Sequence, residues 1–472
     1  MNYQTVIGLE IHAELLTSSK VFCSCSAEFG GEENTRVCPR CSGAPGSLPL
    51  FNRGAAEFAV KAGLALNCKI NNFSAFDRKN YFYPDLPKAY QITQFFSPIC
   101  EDGYVDIGNK KIRINRIHIE EDAGKLIHDE ERKISLADYN RCGVPLIEIV
   151  TEPDIRSAEE AKAFTAEVAL ALKYAGVCDA KMEQGSLRCD VNISIMPEGS
   201  NTFGTRTEIK NLNSLRSIGR AIEYEFSRQK ALIESGERVI QQTLHWNDAT
   251  GVTTALRSKE EAHDYRYFPE PDIPPMFITD EEIEAIAKTM PEMPNSRKER
   301  YLSLGLSDAD ASLLIADKAL ADFYEAAVKC YNNPKSVASM IIVELLRRMN
   351  DGGISAEELK ICPDDLAELC KMADEGTVSR TAAKDILKEM FESGEKPMEI
   401  AQKGGMLMSN DSSEVEAAAD EILAANPKAV EEYKGGSAKV FGFLMGQMCR
   451  KLGKSANPAI IKKILEEKLN SQ

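Results

Sequence analysis

Up to about residue 290 the chain alternates apolar and polar side chains in short runs broken by glycine turns, the period of half-buried β-strands. Five such runs carry a charged or metal-competent side chain where a strand normally places something apolar or neutral: Val6–His12, Ile114–Glu121, Pro145–Val150, Leu187–Ile193 and Thr205–Lys210, the last continuing through Asn211, Leu212 and Asn213. Strand side chains alternate faces, so Glu10 with His12, Asp190 with Asn192 and Glu208 with Lys210 are expected in pairs on one side of a sheet. His118 and Glu120 share a face opposite Glu121, and periodicity leaves open which of these faces meets the other acids. One helix is expected from Ser157, where Ser157 and Glu160 match a capping box, to a stop at Gly176.

Punctuation divides the chain. The stretch from Phe268 to Pro275 holds four prolines and excludes regular structure, and Met290–Pro294 repeats the interruption, so a first domain is expected over 1–292. From 295 to 405 strand signatures vanish and helical segments are expected around Asp308–Tyr331, Lys335–Asn350 and Ala356–Gly376. After Gly404 and Gly405 a small helical tail domain is expected over 406–472: Ser413 with Glu416 matches a capping box, Gly435–Gly436 a joint, and helices follow through Val440, Phe443, Leu444 and Met448 and from Pro458. The fold class is α+β: a mixed, largely antiparallel sheet domain, then a helical domain, then the tail.

A chain of 472 residues has ample material for a large core, and it holds no apolar run long enough to span a membrane and no signal-peptide pattern at its start. A cytoplasmic protein with reduced thiols is expected, which makes the thirteen cysteines candidate metal ligands rather than a disulfide framework. A net charge of −16 argues against general nucleic-acid coating. From Asn426 to Gln472, however, nine Lys or Arg stand against four Glu, a local +5 that suits one dedicated polyanion-binding module.

Acids on a sheet face are costly unless neutralised, and several strands each offering hard oxygen ligands, with a histidine, describe a site for Mg²⁺ and phosphate better than a salt-bridged core. Solvated surface groups, five acids and one imidazole, are the plainer reading of any one of Glu10, His12, Glu121, Glu148, Asp190 and Glu208. Glu148 weighs against it, because Leu146-Ile147-Glu148-Ile149-Val150 implies burial on at least one face. For His118 the simpler reading is a histidine satisfied within its strand. Cys23-Ser24-Cys25, followed after twelve residues by Cys38-Pro39-Arg40-Cys41, has the spacing of one tetrahedral Zn²⁺ in an insertion at about 23–41, the alternative being four unrelated reduced cysteines; four sulfurs leave no open position, so such a zinc would brace a loop. The run Asp77 to Gln91 interleaves bases with aromatics around two prolines and is expected as an ordered loop able to meet a base, a ribose or a phosphate. There is no Gly-x-x-x-x-Gly-Lys-Ser/Thr loop, no Gly-x-Gly-x-x-Gly after a strand and no nucleophile elbow, so a nucleotide would be held by metals and dispersed bases, and amide hydrolysis is not expected of this chain.

Val6–Glu14, Asp77–Gln91, Ile117–Lys125, Asn140–Arg156, Lys181–Ile193, Glu208–Ser214 and Asp264–Asp272 together closely resemble the GatB family, the B-type subunits of the glutamyl-tRNA(Gln)/aspartyl-tRNA(Asn) amidotransferases, and the resemblance spans the chain. It implies a catalytic domain similar in fold to glutamine synthetase. It also implies ATP-dependent phosphorylation of the side-chain carboxylate of Glu or Asp misacylated onto tRNA(Gln) or tRNA(Asn), then amidation by ammonia channelled from a separate amidase subunit, in a complex tied together by a small third subunit. The tail domain would contact the tRNA. Carried over by position, the resemblance implies that His12, Glu121, Glu148 and Glu208 hold Mg²⁺, with Glu10 and Asp190 on a second, more transient Mg²⁺, and that Lys79 and Tyr81 lie near the channel exit and the aminoacyl end. Glu148, Glu121, Lys79 and Tyr81 are the implied catalytic set. Members with a zinc knuckle match Cys23, Cys25, Cys38 and Cys41, while others lack them. A free-standing carboxylate–amine ligase would explain the acids but not the basic tail, and a noncatalytic tRNA scaffold would need no ATP.

Overall fold

The computed structural model describes residues 2–129, 131–257, 265–408, 412–434, 438–452 and 458–471. Two compact units divide the chain at Met1–Pro294 and Asn295–Gln472. The Gly435–Gly436 joint, the side chain of Ser413 and Asp264 lie outside the described residues.

The five acid-bearing runs are strands of one nine-stranded sheet: Tyr3–Glu14 (β1), Lys111–Glu121 (β2), Pro145–Thr151 (β3), Leu187–Pro197 (β4) and Thr207–Leu212 (β5). Their order across the sheet is β5-β4-β1-β3-β2, extended beyond β5 by Thr243–Asn247 and Val252–Arg257 and beyond β2 by Cys100–Asp106 and Lys69–Ile70. Neighbours are antiparallel except β5 with Thr243–Asn247, which run parallel and so need a crossover. The helix Leu215–Glu234 supplies it.

The alternation has a physical cause. Ile7, Leu9 and Ile11 of β1, Ile117 and Ile119 of β2, Ile147 and Ile149 of β3, Val191 and Ile193 of β4 and Ile209 of β5 all point to one face and are buried. Helices Arg53–Ala65, Ala158–Tyr174 and Leu215–Glu234 pack on that face. Each buried aliphatic side chain contributes about 1.5–3 kcal/mol relative to exposure, and a one-residue slip would turn this whole set into water. The opposite face is thereby left to the polar side chains. Ser157 caps its helix by accepting from the Glu160 amide (3.1 Å), but the box does not close: the Glu160 carboxylate accepts from the Arg156 amide (2.8 Å) and Lys110 (3.1 Å) instead.

Two loop expectations need correction. Asp77–Asn80 is a strand, paired with Tyr90–Thr93 on one side and Phe268–Pro269 on the other. Pro269 is accommodated because it sits on an edge, where its missing N–H costs no ladder bond. Arg78 ties the middle strand to the chain just past Phe268–Pro269 through Glu270 (2.6 and 3.1 Å) and Asp272 (3.0 Å), and lies over the Tyr90 ring of the other neighbour at 4.4 Å.

The second unit is helical. The expected segment Asp308–Tyr331 is two helices, Asp308–Ile315 and Lys318–Cys330, because Asp317 caps the second by accepting from the Leu320 amide at 2.9 Å. One apolar cluster gathers residues between Tyr301 and Ala401, and a separate one gathers residues between Val415 and Leu469. Among the described residues, no helix is long and apolar enough to cross a membrane.

Candidate active site

Register places the polar residues side by side. Glu10 lies opposite Asp190, His12 opposite Glu148, Glu148 opposite His118 and Asn192 opposite Glu208. Directly opposed residues share a face, so four pairings across five strands align one polar stripe. It forms the floor of a cleft of about 960 Å³, whose walls carry Lys79, Tyr81, Tyr83, Tyr265 and Tyr267 at one part and Arg206, Thr243 and Leu256 at another.

Two donor groups stand on this floor. In the first, ligand atoms of His12, Glu120 and Glu148 lie within 4.8 Å of one another. His12 Nε2 is 3.4 Å from Glu148 and 3.7 Å from Glu120, and His118 Nε2 repeats those two distances from the other side. These separations are too long for good hydrogen bonds and leave a gap among the donors. His118 Nδ1 is buried without a hydrogen-bond partner among the described residues, so the histidine is not satisfied within its strand as its sequence context suggests. Burial would depress both imidazoles, but Glu148 and Glu120 outweigh it and raise them, His118 to about 9. Burial likewise opposes ionisation of Glu148, and the His118 and His12 rings reverse this and hold its carboxyl well below the usual range. Each ring thus faces both buried acids, and each favours the charged form of the other.

The second group is Glu10, Asp190 and Glu208, again within 4.8 Å. Each acid already has a donor: Asn192 Nδ2 to Glu10 (2.8 Å), Thr243 Oγ1 to Glu208 (2.8 Å), and Lys210 Nζ to both Asp190 (2.6 Å) and Glu208 (2.8 Å). Burial and the Glu148 and Glu208 charges raise the Glu10 carboxyl.

Glu121 does not face this cleft. Its parity along β2 is that of Ile117 and Ile119, and it lies opposite Pro145 at the end of the strand. There the carboxylate accepts from Lys88 Nζ at 2.5 and 2.6 Å and from the Ile92 amide at 2.9 Å. The acid that completes the first group is its neighbour Glu120.

Comparison with known proteins agrees with this architecture. Residues 5–284 match the family described as the GatB/GatE catalytic domain, and residues 322–469 match the GatB domain. An aspartyl/glutamyl-tRNA(Asn/Gln) amidotransferase B-type subunit from Ruminiclostridium cellulolyticum is 54% identical, the match covering 100% of this chain and 98% of the relative. The protein of the same name from Caldicellulosiruptor saccharolyticus is 52% identical over 99% of each chain, and that from Thermodesulfovibrio yellowstonii 50% identical over 98% of this chain and 99% of the relative. The chain belongs to the GatB family of aspartyl/glutamyl-tRNA(Asn/Gln) amidotransferase subunits.

Of the residues expected at the site, His12, Glu148, Glu10, Asp190 and Glu208 converge, and Lys79 and Tyr81 stand on the wall above them. Lys79 lies over the Tyr265 ring at 4.9 Å; burial would lower its ammonium, but the Glu120 and Glu148 charges outweigh this and raise it. Tyr81 meets Tyr265 edge-on at 6.0 Å, and burial raises its phenol. Tyr265 and Tyr267 escaped the sequence reading because they come from a segment nearly two hundred residues away. The signals for them were the alternation of aromatics with a base in Tyr265-Arg266-Tyr267 and their place within Asp264–Asp272, one of the segments that carry the family resemblance.

The four cysteines of the insertion also converge, with sulfurs within 4.8 Å of one another and Cys38 Sγ to Cys41 Sγ at 3.8 Å. Four thiolates around Zn²⁺ at about 2.3 Å would put sulfurs about 3.8 Å apart. The hydrogen bond from the Cys23 thiol brings Cys41 down to about 4 against the opposing effect of burial, with help from Lys20, whose Nζ is 3.8 Å away.

Proposed function

We propose that this chain activates the side-chain carboxylate of Glu on tRNA(Gln), or of Asp on tRNA(Asn), by ATP-dependent phosphorylation and then amidates it with ammonia from a partner glutaminase. The product is Gln-tRNA(Gln) or Asn-tRNA(Asn), the work of a glutamine-hydrolysing ligase that forms a carbon–nitrogen bond. The observation that carries this reading is the alignment of two donor groups, His12 with Glu120 and Glu148, and Glu10 with Asp190 and Glu208, along one cleft floor.

The donor set fits hard divalent ions: mostly carboxylate oxygens, one imidazole in the first group, and a gap between the donors there. His12, Glu120 and Glu148 would hold one Mg²⁺ and Glu10, Asp190 and Glu208 a second. When bound, these ions supply neutralisation of phosphate charge. The protein's own residues do the rest. A carboxylate is already ionised, so its attack on the γ-phosphorus needs no strong base; the bond to the ADP oxygen breaks and an acyl phosphate forms. Ammonia nitrogen then adds at the acyl carbon, the carbon–oxygen bond to phosphate breaks, and a proton leaves the nitrogen. Lys79, kept charged by Glu120 and Glu148, stands where it can hold the carboxylate and then the departing phosphate. The Tyr81, Tyr265 and Tyr267 rings wall that end of the cleft beside Lys79.

Ammonia would come from the separate amidase of the complex, with the small third component completing the assembly, and the basic tail would hold the tRNA. The Cys23, Cys25, Cys38 and Cys41 set would hold a structural Zn²⁺. The test is ATP hydrolysis by the assembled complex with and without misacylated tRNA. Hydrolysis that requires the misacylated tRNA supports the proposal. Hydrolysis indifferent to RNA would point to a small-molecule ligase, and none under any condition to a scaffold.

A further inference from the structure

The two donor groups differ in one respect that chemistry makes consequential. The first is loose, with imidazole nitrogens 3.4–3.7 Å from the acids. The second is filled. Lys210 Nζ sits 2.6 Å from Asp190 Oδ2 and 2.8 Å from Glu208 Oε1, contacts of full charge-assisted strength to two of the three acids. An ammonium this close to two of the three acids repels a divalent ion brought among them.

Building on the functional reading above, we infer that Lys210 is an internal cation occupying the second divalent-ion position until nucleotide arrives, and that it then turns to the phosphates and yields its place. Three features support this. Lys210 follows Glu208 by two residues on β5 and so is fixed to the same face, in reach of the acids without any backbone movement. Its side chain is 41% exposed, against 14% for Asp190 and 26% for Glu208, and it lines the cleft, so a ligand entering the cleft can reach it. Arg206 lines the same cleft, giving an anionic ligand a further cationic donor there.

The consequence is coupling. Without nucleotide, one unit charge already satisfies Asp190 and Glu208, and an incoming ion must break two short ion pairs and leave the ammonium unpaired. With triphosphate present, the ammonium exchanges carboxylate for phosphate oxygens, and the three acids become available. Ion and nucleotide therefore enter the second position together, and the chain avoids holding a second ion when there is nothing to phosphorylate. Lys210 is thus a positioning residue, and its role is separable from that of the acids beneath it.

The test counts Mn²⁺ bound to the full complex by electron paramagnetic resonance, with and without a non-hydrolysable ATP analogue. The expected result is one tight ion without nucleotide and two with it in the parent protein. Lys210→Met should bind two without nucleotide, the second at least roughly tenfold tighter than in the parent, since a competing unit charge is gone. Lys210→Arg, which keeps the charge, should restore the dependence on nucleotide. Fluorescence of Trp246, the single tryptophan and buried in the same sheet, checks that each variant is folded. Matching titrations for Lys210→Met and the parent, each with one tight ion alone, would overturn the role of Lys210. Absence of any bound ion in both would instead overturn the functional reading itself.

Discussion

Replacing Glu120 and Glu121 separately by Gln distinguishes two adjacent acids that the chain sends to opposite faces. Glu121 is 2% exposed and its partner Lys88 10%, and their contacts are 2.5 and 2.6 Å. Removing one member of such a buried pair strands the other charge and costs about 3–5 kcal/mol. Burial would lower the Lys88 ammonium and Glu121 reverses this, so the stranded lysine must either lose its proton or bear the cost of desolvation. Glu120 makes looser contacts, a hydrogen bond from Thr93 Oγ1 at 3.3 Å and ion pairs near 3.7 Å to the two rings, and its loss also relieves its repulsion with Glu148. Its replacement should cost no more than about 1 kcal/mol. Urea denaturation followed at Trp246 reports on the first unit alone. With a slope of about 3 kcal/mol/M, Glu121→Gln should lower the midpoint by about 1 M or more, and Glu120→Gln by a few tenths. Mn²⁺ binding should show the reverse order, the tight ion lost in Glu120→Gln and retained in folded Glu121→Gln. Loss of the ion in Glu121→Gln with an unchanged midpoint would refute the assignment of faces.

Three further outcomes are expected. Cys38→Ser should lower zinc content and the local stability of the insertion more than the rate, measured by metal analysis and by proteolysis of the 23–41 segment; an unaltered zinc content would refute the four-sulfur site. Deletion beyond Gly404 should weaken tRNA binding while sparing glutaminase activity of the complex, and undiminished tRNA affinity would refute the tail as the RNA module. Burial and the neighbouring Asp122 raise Glu14 to about 7, above its ordinary value of about 4.3, so its neutral form stabilises the fold at low pH and that contribution is lost as pH rises through 7. Glu14→Gln, neutral throughout, should therefore gain on the order of 1 kcal/mol relative to the parent between pH 5 and pH 8.5, read by denaturation at Trp246; a constant difference across that range would refute the raised value.

The sequence carried the period of each strand but not its neighbours. Alternation was enough to pair Glu10 with His12 and Glu208 with Lys210, because both members of each pair lie on one strand. It could not choose between Glu120 and Glu121, since either parity of β2 was open until pairing set His118 against Glu148 and Glu121 against Pro145. The decisive contact, Lys88 to Glu121, joins residues thirty-three positions apart. The cysteine set was legible because its ligands are close in sequence. The cleft walls were not, because Tyr265 and Tyr267 reach the Asp77–Asn80 strand through a short antiparallel pairing that the proline content argued against.

The central claim is that acids from five strands, with one imidazole among them, converge on divalent ions that hold ATP. It is tested most directly by a crystal structure of the complex with Mn²⁺ and a non-hydrolysable ATP analogue, using the anomalous signal of the metal. One peak is expected among His12, Glu120 and Glu148, a second among Glu10, Asp190 and Glu208, with Lys210 turned to the phosphates. Peaks at Glu121, or none on the cleft floor, would contradict it.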